Sequence, residues 1–256
     1  MKSFVALLQK EWVLMRGNVL FLFISSLLAV FVLPYILSKN MEINMTADEW
    51  TFLFLFYSIL VGILFAPVQL FKSMQTEIKR KEVWLHSPQS IYKLLAAKVL
   101  FNLCTFLVFT FVILSSVFLL VVSQEWNIIK IVVASTVMTI SLTCLQLLIL
   151  IYMQVVYVCY LQLNYYIGKF AIIVAPLALL AGYLLTKFEE SVLYRTLFQH
   201  GYISLEPLQQ YLQLSDYPLL FIINSVYIGQ LLFYGVLLAV LFMASSKWLE
   251  KVVTRS

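Results

Sequence analysis

Six long apolar runs alternate with short polar stretches along the chain, at about Val19–Leu37, Thr51–Phe71, Val99–Val122, Ile131–Met153, Phe170–Thr186 and Pro218–Ser245. Each is close to the roughly 17–25 residues that carry an α-helix across the ~30 Å hydrocarbon core of a bilayer. None alternates apolar and polar residues, as the ~10-residue strands of a membrane barrel do. The pattern predicts an all-α polytopic membrane protein with six transmembrane helices, the fourth able to run on through the aromatic stretch Tyr152–Tyr166. Pro34 falls near the far end of the first run. The opening residues 1–18 form an amphipathic pattern at 100° per residue, with Phe4, Val5, Leu8, Trp12 and Met15 on one face and Lys2, Gln9, Lys10 and Arg16 on the other. That pattern suits an interfacial helix in the headgroup plane. The apolar core that follows has no small-residue cleavage site, so an uncleaved first span is expected rather than a signal peptide.

Composition agrees: 63% of the 256 residues are hydrophobic and 11% charged, with a mean hydropathy of +0.97. A soluble globular domain is about half apolar and about a quarter charged, so that class is excluded. Six spans place both termini on one face, together with the segment Lys72–Lys98. That face nets +9 and the other −4 within the overall +5. Lysine and arginine accumulate in short cytoplasmic loops, so both termini and residues 72–98 are expected in the cytoplasm. Anionic headgroups of membrane lipid and a cytoplasmic partner account for such a basic face, with no need for nucleic acid. Cys104, Cys144 and Cys159 all lie in apolar runs, without metal-ligand spacing, and read as small packing residues. No glycine-rich phosphate loop is present, so the chain does not cradle ATP itself.

The segment 72–98, KSMQTEIKRKEVWLHSPQSIYKLLAAK, is the longest cytoplasmic polar stretch. Pro88 disfavours helix at Ser87 but suits the first turn of a new helix, with serine as the cap before it. This predicts a short helix over Glu77–His86, a break at Ser87, and a second helix running from Pro88 into the third span. Val83, Trp84 and Leu85 give the first of these an apolar tip flanked by Lys79, Arg80, Lys81 and Glu82. Such a tip fits either a groove on a partner protein or the lipid headgroups, and the residues alone leave both open.

The layout resembles the type-two exporter class of ABC transporter permeases, membrane subunits of bacterial ATP-driven exporters. These have six spans, an amphipathic N-terminal helix and a cytoplasmic helix between spans two and three. Their loop tends to read as an acidic residue, a leucine pair or similar, Ser-Pro, and a helix with a lysine near the bilayer. Glu77, Glu82, Val83-Trp84-Leu85, Ser87-Pro88, Leu94-Leu95 and Lys98 follow that order; Lys81-Glu82 stands where the family often has Gly-Thr. The resemblance covers nearly the whole chain. It implies that residues 77–88, including Glu77, Lys79, Arg80, Lys81, Glu82, Val83, Trp84, Leu85, Ser87 and Pro88, couple to a separate ATP-binding cassette subunit that binds ATP and Mg. It also implies a pair of six-span subunits in a bacterial cell membrane, exporting an amphiphilic peptide, lipid or drug. The chain itself is then not an enzyme and binds no cofactor directly. Residues 187–217 correspond to the family's extracellular element between spans five and six, and Leu205–Leu214 fits a short amphipathic helix there. The competing reading is a non-transporting membrane immunity or sensor-accessory protein that binds a peptide or a kinase.

The six runs contain no Asp, Glu, Lys, Arg or His, whereas ion-coupled carriers place ionisable groups at depth. Energy is therefore expected from outside the membrane. Thr139, Thr143 and Gln146 share one helical face and suit either hydrogen bonding between helices or a substrate path. Glu189-Glu190 with Arg195 approaches the Glu-Glu-x-x-x-Arg pattern of CAAX-processing proteases. The spacing is one residue too long, and His86 and His200 fall on opposite faces of the membrane, so no catalytic site is expected.

Overall fold

The computed structural model describes residues 2–40, 45–79, 90–121, 126–212 and 225–255. The chain folds into nine α-helices and one two-stranded β-ladder among these residues, in two compact units, 1–150 and 151–256. Five stretches are long and apolar enough to cross a membrane, namely Phe4–Asn40, Ala47–Ile78, Ile91–Val121, Ile128–Ile173 and Ile228–Val252. The protein is an all-α, multi-pass membrane protein.

In the first unit, α1 (Lys2–Phe31) is one unbroken helix. Residues 2–18, read as an interfacial helix, are helical and continue without a break into the first apolar run. Pro34 lies near the start of α2 (Leu33–Asn40). Its missing N–H and its ring are tolerated only in a helical first turn, which explains the interruption at Val32. Helix α3 (Ala47–Lys79) opens with a reciprocal cap, in which the Thr46 N–H donates to Glu49 Oε2 at 2.7 Å and the Glu49 N–H to Thr46 Oγ1 at 3.3 Å. The threonine and glutamate three residues apart satisfy two donors that a helix start otherwise leaves open. Helix α4 spans Ile91–Val121. Gly62 of α3 lets α4 approach: a Cβ there would sit 2.7 Å from the Phe109 ring, which meets Phe23 of α1 edge-on at a centroid distance of 5.3 Å. One buried ring thus joins three helices.

Helix α5 (Ile128–Ile167) is 40 residues long and includes the aromatic stretch, as the sequence allowed. At ~1.5 Å per residue it is about twice as long as a bilayer core is thick. Gly168, at φ +57°, ends it in a left-handed conformation that costs glycine least. A 3₁₀ segment, Gly168–Ile173, leads into α6 (Val174–Glu190). Ser191 then caps α7 (Val192–Phe198) by accepting the Tyr194 N–H at 3.2 Å. Strand β1 (Tyr202–Ser204), α8 (Glu206–Leu212) and β2 (Ser225–Tyr227) follow, the strands pairing antiparallel with Tyr202 opposite Tyr227. The short helix expected over Leu205–Leu214 is α8; the β-ladder is an addition. Helix α9 (Ile228–Arg255) continues past Ser245, the end of the sixth apolar run. Cys159 is half-buried, but Cys104 and Cys144 are exposed on the surfaces of their helices, so the packing role expected of these two is not what they have.

Candidate functional site

Four charged side chains meet inside the first unit. The inward stripe of α1 runs Leu8, Glu11, Met15, Val19, at steps of three and four residues, and Met15 and Val19 pack against Phe101 of α4. Glu11 interrupts that apolar stripe and is only 3% exposed. On α3, Gln69, Ser73 and Glu77 recur every four residues and face inward beside Leu70 and Met74. Lys98, one step from the fully buried Leu95 on α4, is 1% exposed.

The Lys98 ammonium lies 2.5 Å from Glu11 Oε1 and 3.2 Å from Glu77 Oε2, and it also donates to Ser73 Oγ. An ammonium has three N–H donors and no acceptor, so the three partners match its capacity. Ser73 passes its own proton to Glu11 Oε2 at 2.7 Å. The second oxygen of Glu77 takes Lys10 at 2.5 Å, with Lys10 half in solvent. Two carboxylates and two ammonium groups give a neutral set. That matters energetically, because each unpaired buried ion costs several kcal/mol. The arrangement ties α1, α3 and α4 together where α3 and α4 approach residues 80–89.

Glu77 therefore differs from its expected place. It lies in the last turns of α3 rather than on a separate short helix, and it is 5% exposed, held inside by the Lys98 cluster. Lys79 is the last residue of α3. Arg80, Lys81, Glu82, Val83, Trp84, Leu85, Ser87 and Pro88 lie outside the described residues, as do the expected break at Ser87 and helix start at Pro88. The apolar runs are free of charge, as read, yet a charged cluster is buried just beyond the ends of three of them. The signal was present in the sequence: Glu11 sits on the apolar stripe of its helix.

Thr139, Thr143 and Gln146 do share a face of α5. Thr143 donates to the Thr139 carbonyl at 2.7 Å, and Gln146 is fully buried. Pro67 explains Gln146. Having no N–H, Pro67 leaves the carbonyl of Ile63, four residues earlier, without its helical donor, and Gln146 Nε2 donates to that carbonyl at 3.3 Å. Where no water reaches a freed carbonyl, a neighbouring helix must supply the bond. Gln146 thus has a structural task, while Thr139 Oγ1 and Gln146 Oε1 find no partner among the described residues. Gln146→Leu is expected to cost about 0.6–2 kcal/mol in unfolding measurements, and the loss should shrink in a Pro67→Ala background, where the backbone bond is restored. Equal losses in both backgrounds would refute the pairing.

In the second unit, Glu189, Glu190 and Arg195 border one cavity, while His200 is exposed beside it. Among the described residues no three of His, Cys, Asp or Glu gather as a metal site. Comparison with family models, curated proteins and solved structures finds no match for the chain.

Proposed function

We propose that this chain is the membrane-spanning permease subunit of an ATP-driven exporter whose ATPase is a separate cytoplasmic polypeptide. The observation that carries the reading is the fastening of the two helices that residues 80–89 join. These helices have 33 and 31 residues, and the Lys98 cluster fastens both of them to α1. A push on the short connection is then delivered to three helices at once instead of being absorbed by a loose loop. ATP and Mg belong to the partner subunit; this chain transmits the work.

The sixth span of this reading is the Gly168–Ile173 turn with α6. At ~2.0 Å per residue for 3₁₀ and ~1.5 Å for α geometry, the pair extends about 37 Å, enough for a ~30 Å core. Six spans place both termini and residues 80–89 on the basic, cytoplasmic face. Trp84 and Leu85 supply the tip that enters the ATPase, flanked by Lys79, Arg80, Lys81 and Glu82. A second six-span subunit completes the pathway in a bacterial cell membrane, and the cargo is amphiphilic.

The test is co-purification from native membranes with ATP hydrolysis as readout. An ATPase subunit is expected to accompany the wild-type chain, and Trp84→Ala with Leu85→Ala should reduce its recovery at least about tenfold, as expected when an interface loses its apolar anchors. Membrane insertion should be unchanged. Undiminished recovery, or no ATPase at all, would overturn the proposal.

A further inference from the structure

A polar cavity of about 410 Å³ lies within the second unit, where α6 ends, α7 crosses and α9 begins. That volume is within the range of small-molecule sites, roughly 300–1,000 Å³. One wall is aromatic. Phe188, Tyr194, Phe198 and Phe233 pack with ring centroids 4.7–6.1 Å apart, and this holds the buried Tyr194 against the cavity. Tyr234 donates its hydroxyl to Glu189 Oε1, and the Tyr194 and Tyr234 rings both border the cavity. The Tyr234 phenol fixes one oxygen of the Glu189 carboxylate, and the other has no hydrogen bond among the described residues. Glu190 is already engaged, since Lys187 donates to it at 2.7 Å. Arg195 borders the same cavity and pairs with no carboxylate within 4.0 Å among the described residues.

The cavity therefore presents a half-buried carboxylate, two aromatic rings and a guanidinium with no ion pair within 4.0 Å among the described residues. A carboxylate beside aromatic faces favours an ammonium group, and a guanidinium favours a phosphate. Below the cavity, α6 and α9 turn apolar side chains outward, among them Leu180, Tyr183 and Leu184 on α6 and Leu231, Leu232 and Val236 on α9. We propose that this cavity binds the headgroup of a zwitterionic phospholipid, with the ammonium at Glu189 and the phosphate at Arg195, while the acyl chains lie along the outward faces of α6 and α9. The site does not depend on the ATPase reading, and its test needs no nucleotide.

The full chain, purified in detergent, is mixed with phosphatidylethanolamine or phosphatidylglycerol of matched chains, and retained lipid is counted by native mass spectrometry. Phosphatidylethanolamine should be retained at about tenfold lower concentration, the size expected for one well-placed charged contact. Glu189→Gln should abolish the preference. Arg195→Gln, at an exposed position that leaves folding unaffected, should weaken retention of both lipids. Equal retention of the two lipids by the wild-type chain, or variants that behave like it while remaining monodisperse, would overturn the proposal. Displacement of the lipid by chain-free glycerophosphoethanolamine at equal concentration would overturn the lipid assignment in favour of a soluble ligand.

Discussion

Lys98→Met should destabilise the protein by about 3–5 kcal/mol, the usual cost of removing one member of a buried ion pair and stranding the others. Glu11 and Glu77, at 3% and 5% exposure, would be left facing each other without the ammonium between them, Ser73 still donating to Glu11 and Lys10 to Glu77. In detergent the variant should aggregate at lower temperature and elute as less monodisperse material than the wild-type chain. The triple variant Glu11→Gln, Glu77→Gln, Lys98→Met should recover most of the loss, because a buried cluster replaced as a whole costs little and can even stabilise. Non-additivity is the signature: groups in one network do not contribute independent increments. A single Lys98→Met variant as stable as the wild-type chain would show that the four charges do not act as a set.

Gly229→Ala should also be strongly destabilising, and its sign is diagnostic. An alanine in place of glycine within a helix ordinarily stabilises by about 0.5–1 kcal/mol. At Gly229, however, the added Cβ would sit 2.3 Å from the Phe198 carbonyl oxygen, and the next nearest atoms are also backbone of α7. Backbone cannot rotate away as a side chain can, so α7 must shift and take Tyr194 and Phe198 from the Phe233 ring. Overpacking of this kind costs about 1–3 kcal/mol. Gly235, on the same helix, has nothing within 4 Å of a Cβ, and Gly235→Ala should be neutral or mildly stabilising. Thermal unfolding of the two variants side by side separates close approach from helix propensity.

Helix positions were legible because a bilayer imposes length and apolarity on any segment that crosses it. The extension of α5 to Ile167 followed from a run that contains no breaker, and the short α8 from a run whose one proline, Pro207, falls in the first turn, where it is tolerated. What local pattern could not reveal was the meeting of residues far apart in sequence. Glu11 and Lys98 are 87 positions apart, and the first 18 residues looked like a surface helix because Lys2, Lys10 and Arg16 were weighed and Glu11 was not placed. The partnership of Gln146 with the Ile63 carbonyl was half-visible, since Pro67 announces an orphaned acceptor four residues earlier. Only the fold says which helix answers it. The cavity beside Arg195 was hidden for the same reason. Glu189-Glu190 and Arg195 drew notice through a protease-like pattern, yet their neighbours Tyr194 and Tyr234 are brought together by α7 and α9.

The geometry around the Lys98 nitrogen carries a consequence for which cation this position tolerates. Its hydrogens diverge as from the corner of a tetrahedron, toward two carboxylates and a hydroxyl on two neighbouring helices. A guanidinium is flat and spreads its donors in one plane, which does not match three partners set around a tetrahedral nitrogen. Arginine is generally the favoured cation for buried pairing, but here the shape of the receptacle reverses that preference. Charge alone is not what the position selects.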